Sequence, residues 1–208
     1  KAAGCYVIEA GDTGSITMEN NGSIRFADNN AFTYDDIPVG TEWWIWDAPP
    51  EVQSGGIMCA HTITMNNNED IVFNCSPELI ASGRAIHVTG SDGSLTMKDN
   101  GNILISAFAD NLAVEVNGSV TMLNNKSISI DSNFGGIHAS ADVIISNTEG
   151  AVSFTDNCLL SNNSGQWNGG GIEANNIVMD KNGSVIFSGN SAKSQDRKTT
   201  YGGAIYVY

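Results

Sequence analysis

The sequence predicts an all-β chain wound as a right-handed parallel β-helix of about six three-stranded coils, with insertion loops on one face. Three observations point there. The chain repeats internally, each repeat alternates apolar and polar residues, and the filler is Gly, Asn and Ser, which suits tight turns better than helices.

Six segments align: GSITMENNGSIRFADN from Gly14, HTITMNNNEDIVFNCS from His61, GSLTMKDNGNILISAF from Gly93, GSVTMLNNKSISIDSN from Gly118, ADVIISNTEGAVSFTDN from Ala141 and NNIVMDKNGSVIFSGN from Asn175. Each reads as two short half-buried strands around an Asn/Gly turn. The first strand turns Ile16, Ile63, Leu95, Val120, Val143 and Ile177 to one side, followed two residues on by Met18, Met65, Met97, Met122, Ile145 and Met179. The second strand offers Ile24, Ile71, Ile103, Ile128, Val152 and Val185, then Phe26, Phe73, Ile105, Ile130, Phe154 and Phe187. A third short strand follows after a connection of variable length: GGIMCA, GRAIHV, LAVEV, GGIHA, GGIEA and GGAIYV.

Like residues at like positions describe a coil stacked on copies of itself. A full turn separates equivalent strands, so they pair in parallel, and such crossovers are right-handed. Side chains then form interior ladders with a step of ~4.8 Å. Five of the six methionines fall in one ladder. Each lies two residues from a core aliphatic, so the stripe reads as adaptable packing and not as a soft-metal site.

The leading aliphatics at 16, 63, 95, 120, 143 and 177 give spacings of 47, 32, 25, 23 and 34 residues. Nearly all the variation falls between the second and third strands. Insertions in such an array gather on one face, which is often the binding face. The 208 residues read as a single β-helix domain, a piece of a longer protein, with a Trp-rich insertion at residues 30–54.

Composition excludes several functions. Twenty-three acidic residues against nine basic ones give a net charge of −14. That argues against nucleic acid or an anionic membrane as partner, since both need a basic face. No apolar run approaches the ~20 residues of a membrane span. Cys5, Cys59, Cys75 and Cys158 show no metal-ligand spacing. Cys75 and Cys158 fall three coils apart, ~14 Å, beyond bridging reach. Four free thiols are expected, with Cys59 pointing inward.

The Phe-x-x-Asn units FADN (Phe26 to Asn29), FTDN (Phe154 to Asn157) and FSGN (Phe187 to Asn190), with GGAI at Gly202 to Ile205 and GGI at Gly55, Gly135 and Gly170, carry a resemblance. The chain resembles the repeats of chlamydial polymorphic outer-membrane proteins over nearly its whole length. The second repeat departs with FNCS, and the third lacks both motifs. The resemblance implies an autotransporter passenger, exported as a right-handed β-helix and acting as an adhesin at the bacterial surface or after secretion. Physically, aligned Asn residues bond the backbone of neighbouring coils and tolerate left-handed turns. Paired glycines let the chain bend into the third strand.

Residues that carry chemistry are few. The outward column of the third strand is read as Glu9, Met58, His87, Glu115, His138, Glu173 and Tyr206. Imidazoles and carboxylates in such a row could hold a transition metal. A cross-strand ladder on a solvated sheet is the favoured reading, because sheet spacing rarely brings three ligands to one ion. The first-strand outward positions (Thr17, Thr64, Thr96, Thr121, Ile144, Val178) and the second-strand ones (Arg25, Val72, Leu104, Ser129, Ser153, Ile186) hold no acidic pair for sugar chemistry. The dense acidic set Asp35, Asp36, Glu42, Asp47 and Glu51 lies in the long insertion. No catalytic residue, metal or cofactor is assigned.

All four tryptophans lie on insertions: Trp43, Trp44 and Trp46 within EWWIWDAPPE, and Trp167 in the fifth repeat. The three clustered ones read first as a small satellite core, since several tryptophans left in water are costly. They read second as an aromatic contact for a glycan or protein. With Trp167, Arg197 and Lys198 they form the candidate ligand-contact set. The expected partner is a host-cell protein or glycan receptor. A passive spacer and a carbohydrate-active enzyme are the alternatives.

Overall fold

The computed structural model describes residues 6–27, 56–75, 84–108, 112–161, 170–194 and 203–208. The described residues are all β, and every strand pairing is parallel.

The larger sheet contains the first strands of the repeats. Its long members are β1 (Tyr6–Glu19), β3 (Gly56–Asn66), β5 (Arg84–Lys98) and β7 (Leu112–Leu123). They are joined by β9 (Gly135–Ala139), β10 (Asp142–Ser146), β13 (Ile172–Ala174), β14 (Asn176–Asp180) and β17 (Ile205–Val207). The second sheet orders β2 (Ile24–Ala27), β4 (Ile71–Asn74), β6 (Asn102–Ser106), β8 (Ser127–Asp131), β11 (Ala151–Thr155) and β15 (Ser184–Ser188).

The ladders read from the alternation are present in register. Met18 pairs with Met65, Met65 with Met97 and Met97 with Met122, and Ile145 links Met122 to Met179. In the second sheet Phe26 stacks on Phe73 with ring centroids 5.2 Å apart, and Phe154 on Phe187 at 5.1 Å. One continuous apolar cluster joins both sheets. A one-residue slip would turn each ladder outward, so burial holds the register.

The turns explain the Asn content. The residue after the first strand is left-handed in all six repeats: Asn20, Asn67, Asp99, Asn124, Asn147 and Lys181 have φ between 52° and 57°. Five of the six are Asn or Asp, the types that tolerate this region best. The next residue points inward. Asn68, Asn100 and Asn125 are buried there, and each side chain bonds the neighbouring repeat's Asn and a strand carbonyl. A second such ladder, Asn133–Asn157–Asn190, follows the second strand. At Gly136 a Cβ would strike the carbonyl of Gly171, so the glycine is required by the close approach of two backbones.

Three features differ from expectation. The third strand of one repeat and the first strand of the next are continuous in β1, β3, β5 and β7, where register shifts take up the corner. The pairing lapses at the corner and resumes in a shifted register, as at a bulge. A separate two-stranded sheet, β12 (Cys158–Ser161) with β16 (Ser191–Ser194), was not foreseen. Finally, Met58 faces inward and Cys59 does not. Met58 pairs with Ile86 and is fully buried in the core cluster, whereas Cys59 pairs with His87 and lies outside that cluster. Aligning GGIMCA by its glycines misplaces it by one residue, because burial of Met58 and Ala60 sets the pairing. Cys59, Cys75 and Cys158 are free thiols, and Cys5 lies outside the described residues.

Candidate functional site

Parallel pairing in register converts one position per strand into a row. On the outer face of the third-strand segments the row runs Glu9, Cys59, His87, Glu115, His138, Glu173, Tyr206. Its members are ~4.8 Å apart along the stack. Cys59 therefore occupies the place assigned to Met58 from the sequence.

An outward row on a solvated sheet should be wet, and much of this one is not. Cys59 is 4% exposed and Glu173 2%. The groups meet their neighbours. Cys59 Sγ lies 3.9 Å from His87 Nδ1. The Arg84 guanidinium, at the start of β5, pairs with the Glu115 carboxylate. His138 Nδ1 lies 3.4 Å from Glu173 Oε2, and the Tyr208 hydroxyl donates to Glu173 Oε1 at 2.5 Å. Buried charges need such partners, since an unpaired one is strongly destabilising.

The local electrostatics follow. Burial holds the His87 imidazole below its ordinary value, and the nearby Arg84 charge adds to this; Glu115 and Asp12 pull the other way. Burial and the bond to Glu173 push the Tyr208 hydroxyl well up. At His87 and Tyr208, burial and neighbouring groups set the protonation more than bulk solvent does. Among the described residues no group of three or more His, Cys, Asp or Glu is placed to hold a metal ion.

The ligand-contact candidates Trp43, Trp44, Trp46, Trp167, Arg197 and Lys198 lie outside the described residues. The described strands do place the points where their connections leave and return. Residues 28–55 lie between β2 and β3, and residues 76–83 between β4 and β5. The connection holding Trp167 leaves from Ser161 and that holding Arg197 and Lys198 from Ser194, and these two residues are paired. They return at Ile172 and Ile205, also paired. In the fourth repeat only residues 132–134 separate β8 from β9, which is the connection without an insertion.

Sequence reasoning found the row but not its burial, and it missed Arg84, Cys59 and the β12–β16 pair. Cys158-Leu-Leu, an apolar run directly after FTDN, was the available signal for the extra strand. Comparison with known proteins finds no matching family model, no matching curated protein and no matching solved structure.

Proposed function

We propose that the chain is a right-handed β-solenoid of six three-stranded coils that serves as an adhesin, exposed at a bacterial surface or secreted. In this reading the stacked sheets are a rigid rod. The connections between second and third strands are its contacts with a host-cell protein or glycan.

One observation carries the reading: the connections of successive repeats leave and rejoin the stack in register. The pairs Ser161–Ser194 and Ile172–Ile205 anchor two neighbouring connections at both ends. One of these contains Trp167, the other Arg197 and Lys198. Aromatic and cationic residues on adjacent, commonly anchored segments are the residue types that dominate recognition surfaces. The likeness of the FxxN and GGA(I) units to polymorphic outer-membrane repeats supports the same role.

The test is a glycan and host-cell binding screen with the parent chain, a variant lacking residues 31–53, and Trp167→Ala. Binding should weaken in Trp167→Ala with thermal stability nearly intact. Trp44→Ala, at a position read from the sequence as packing, should lower the melting temperature by several degrees. Failure of the parent to bind any surface would favour a passive spacer. Polysaccharide depolymerisation lost in Asp35→Asn or Asp36→Asn would instead indicate an enzyme.

A further inference from the structure

Both main sheets end on open edges. Among the described residues β15 pairs only with β11 and β14 only with β10, while β1 pairs only with β3 and β2 only with β4. An open edge presents unpaired N–H and C=O groups, and proteins usually blunt it with Lys, Pro or a bulge. The last repeat does not: β15 reads SVIFS and β17 IYV, with Val185 43% and Val207 47% exposed. We propose that this edge receives the first repeat of a second copy of the chain, so that copies add head to tail with β14 beside β1 and β15 beside β2.

The two edges match position by position. Register carries one column from Met18 to Met179, a second from Ile24 to Val185 and a third from Phe26 to Phe187. Setting Met179 on Met18, Val185 on Ile24 and Phe187 on Phe26 repeats the step that already holds neighbouring repeats together. Val185 is exposed and the other five are half-buried, so the contact removes apolar surface from water on both sides. Phe187 stacks on Phe154 and Phe26 on Phe73, so the opposite ring faces meet across the junction.

Polar groups select the direction. Each Asn of the first ladder accepts through Oδ1 from the preceding repeat and donates its N–H to the following one. Asn182 Oδ1 accepts from the Thr148 N–H, so its own N–H is directed beyond the last repeat. Asn21 donates its N–H and Nδ2 to Asn68 Oδ1, so its own Oδ1 is directed ahead of the first repeat. A donor at one end thus faces an acceptor at the other, and two like ends do not satisfy each other. Joining unlike surfaces generates an open line of copies instead of a closed dimer. One term opposes the contact: the column from Glu19 to Asp180 sets two carboxylates together at each junction.

The experiment is sedimentation of the reduced chain over a concentration series at fixed salt, with no receptor present. The expected result is a mean mass that climbs steadily past the dimer. Val185→Glu, which puts a charge on the apolar edge, should weaken association at least ~10-fold. Asp180→Lys replaces the opposed carboxylates with an ion pair and should tighten association about fivefold. Adding Glu19→Lys to Asp180→Lys should cancel that gain, although it lowers the net negative charge further. Glu19 and Asp180 are both exposed, so these two changes leave folding intact and test the register even if Val185→Glu misfolds. A monomer at every concentration would give the edge to some other occupant and overturn the proposal. So would a mass that stops at the dimer, unchanged association in Val185→Glu, no tightening in Asp180→Lys, or a double variant as tight as Asp180→Lys alone. Association is read without a ligand, so failure of the adhesin reading leaves it standing.

Discussion

Asn100 Oδ1 accepts two hydrogen bonds from Asn68, one from the backbone N–H and one from Nδ2, both at 3.0 Å. Asn100 repeats the pattern towards Asn125 and also donates to the Met65 carbonyl at 2.8 Å. One buried amide thus satisfies polar groups from three successive repeats, where water cannot replace it.

Asn100→Ala removes the acceptor for both Asn68 donors and the donor to Met65. Each buried group left unsatisfied costs about 1–3 kcal/mol, so a loss of about 3 kcal/mol is expected. For a chain of this size that lowers the melting temperature by roughly 5–10 °C. Asn176→Ala is the control, since its exposed side chain donates once, to Asp142 Oδ1. It should change stability by less than about 0.5 kcal/mol. Equal losses in thermal melts of the two variants would refute a special role for the inner ladder.

The first ladder is interrupted once. Thr148 stands where the other repeats have Asn; it is buried, and its Oγ1 has no hydrogen-bond partner. Thr148→Asn would supply an Oδ1 towards Asn125 and an Nδ2 towards Asn182, whose own Oδ1 already accepts from the Thr148 N–H. A gain of about 1 kcal/mol is expected, the ordinary net value of an added buried hydrogen bond with its partner already in place. A denaturant midpoint below that of the parent would count against continuity of the two ladder halves.

Met97 is fully buried between Met65 and Met122. Met97→Ala opens a cavity in a stack that cannot collapse along the axis, because parallel pairing fixes the spacing. It should cost about 2–5 kcal/mol, whereas Met97→Leu, which conserves volume, should cost less than about 1.5 kcal/mol. If both variants melted at the same temperature, the methionine stripe would not be packing.

The His87 imidazole is depressed from its ordinary value of 6.5, chiefly by burial, then by Arg84, against Glu115 and Asp12. Below that value the unfolded chain takes up a proton that the folded chain resists, so the unfolded state binds more protons. The contribution to stability is therefore complete above pH 6.5 and is lost as pH falls through the depressed folded value. His87→Gln should flatten the decline in stability that the parent shows between about pH 7 and pH 5. An unchanged slope would show that this imidazole does not titrate as its surroundings require.

Most of the architecture is written along the chain. The inner ladders, the turn positions and the stacking of Asn on Asn could be read from residue type. Each recurs along the repeats, and period-two burial leaves one register. Positions such as Asn20, Asn67 and Asn124 announce their left-handed turns because few other residue types accept them. The thiols likewise follow from spacing: Cys75 and Cys158 lie in or beside strands three steps apart.

Other features were decided only by the packed molecule. The glycine pair at Gly55 and Gly56 aligns Met58 with His138, but the two strands pair Met58 with Ile86 because the core accepts Met58 and Ala60 together. Merging of third and first strands depends on the pairing resuming, in a shifted register, past the corner of β3, β5 and β7. Burial of the outer row could not be read at all. Alternation says that Glu173 leaves the core, but not whether water awaits it there. That depends on groups brought close from elsewhere in the chain, such as Tyr208 at Glu173, and contacts of this kind recur in no pattern along the sequence.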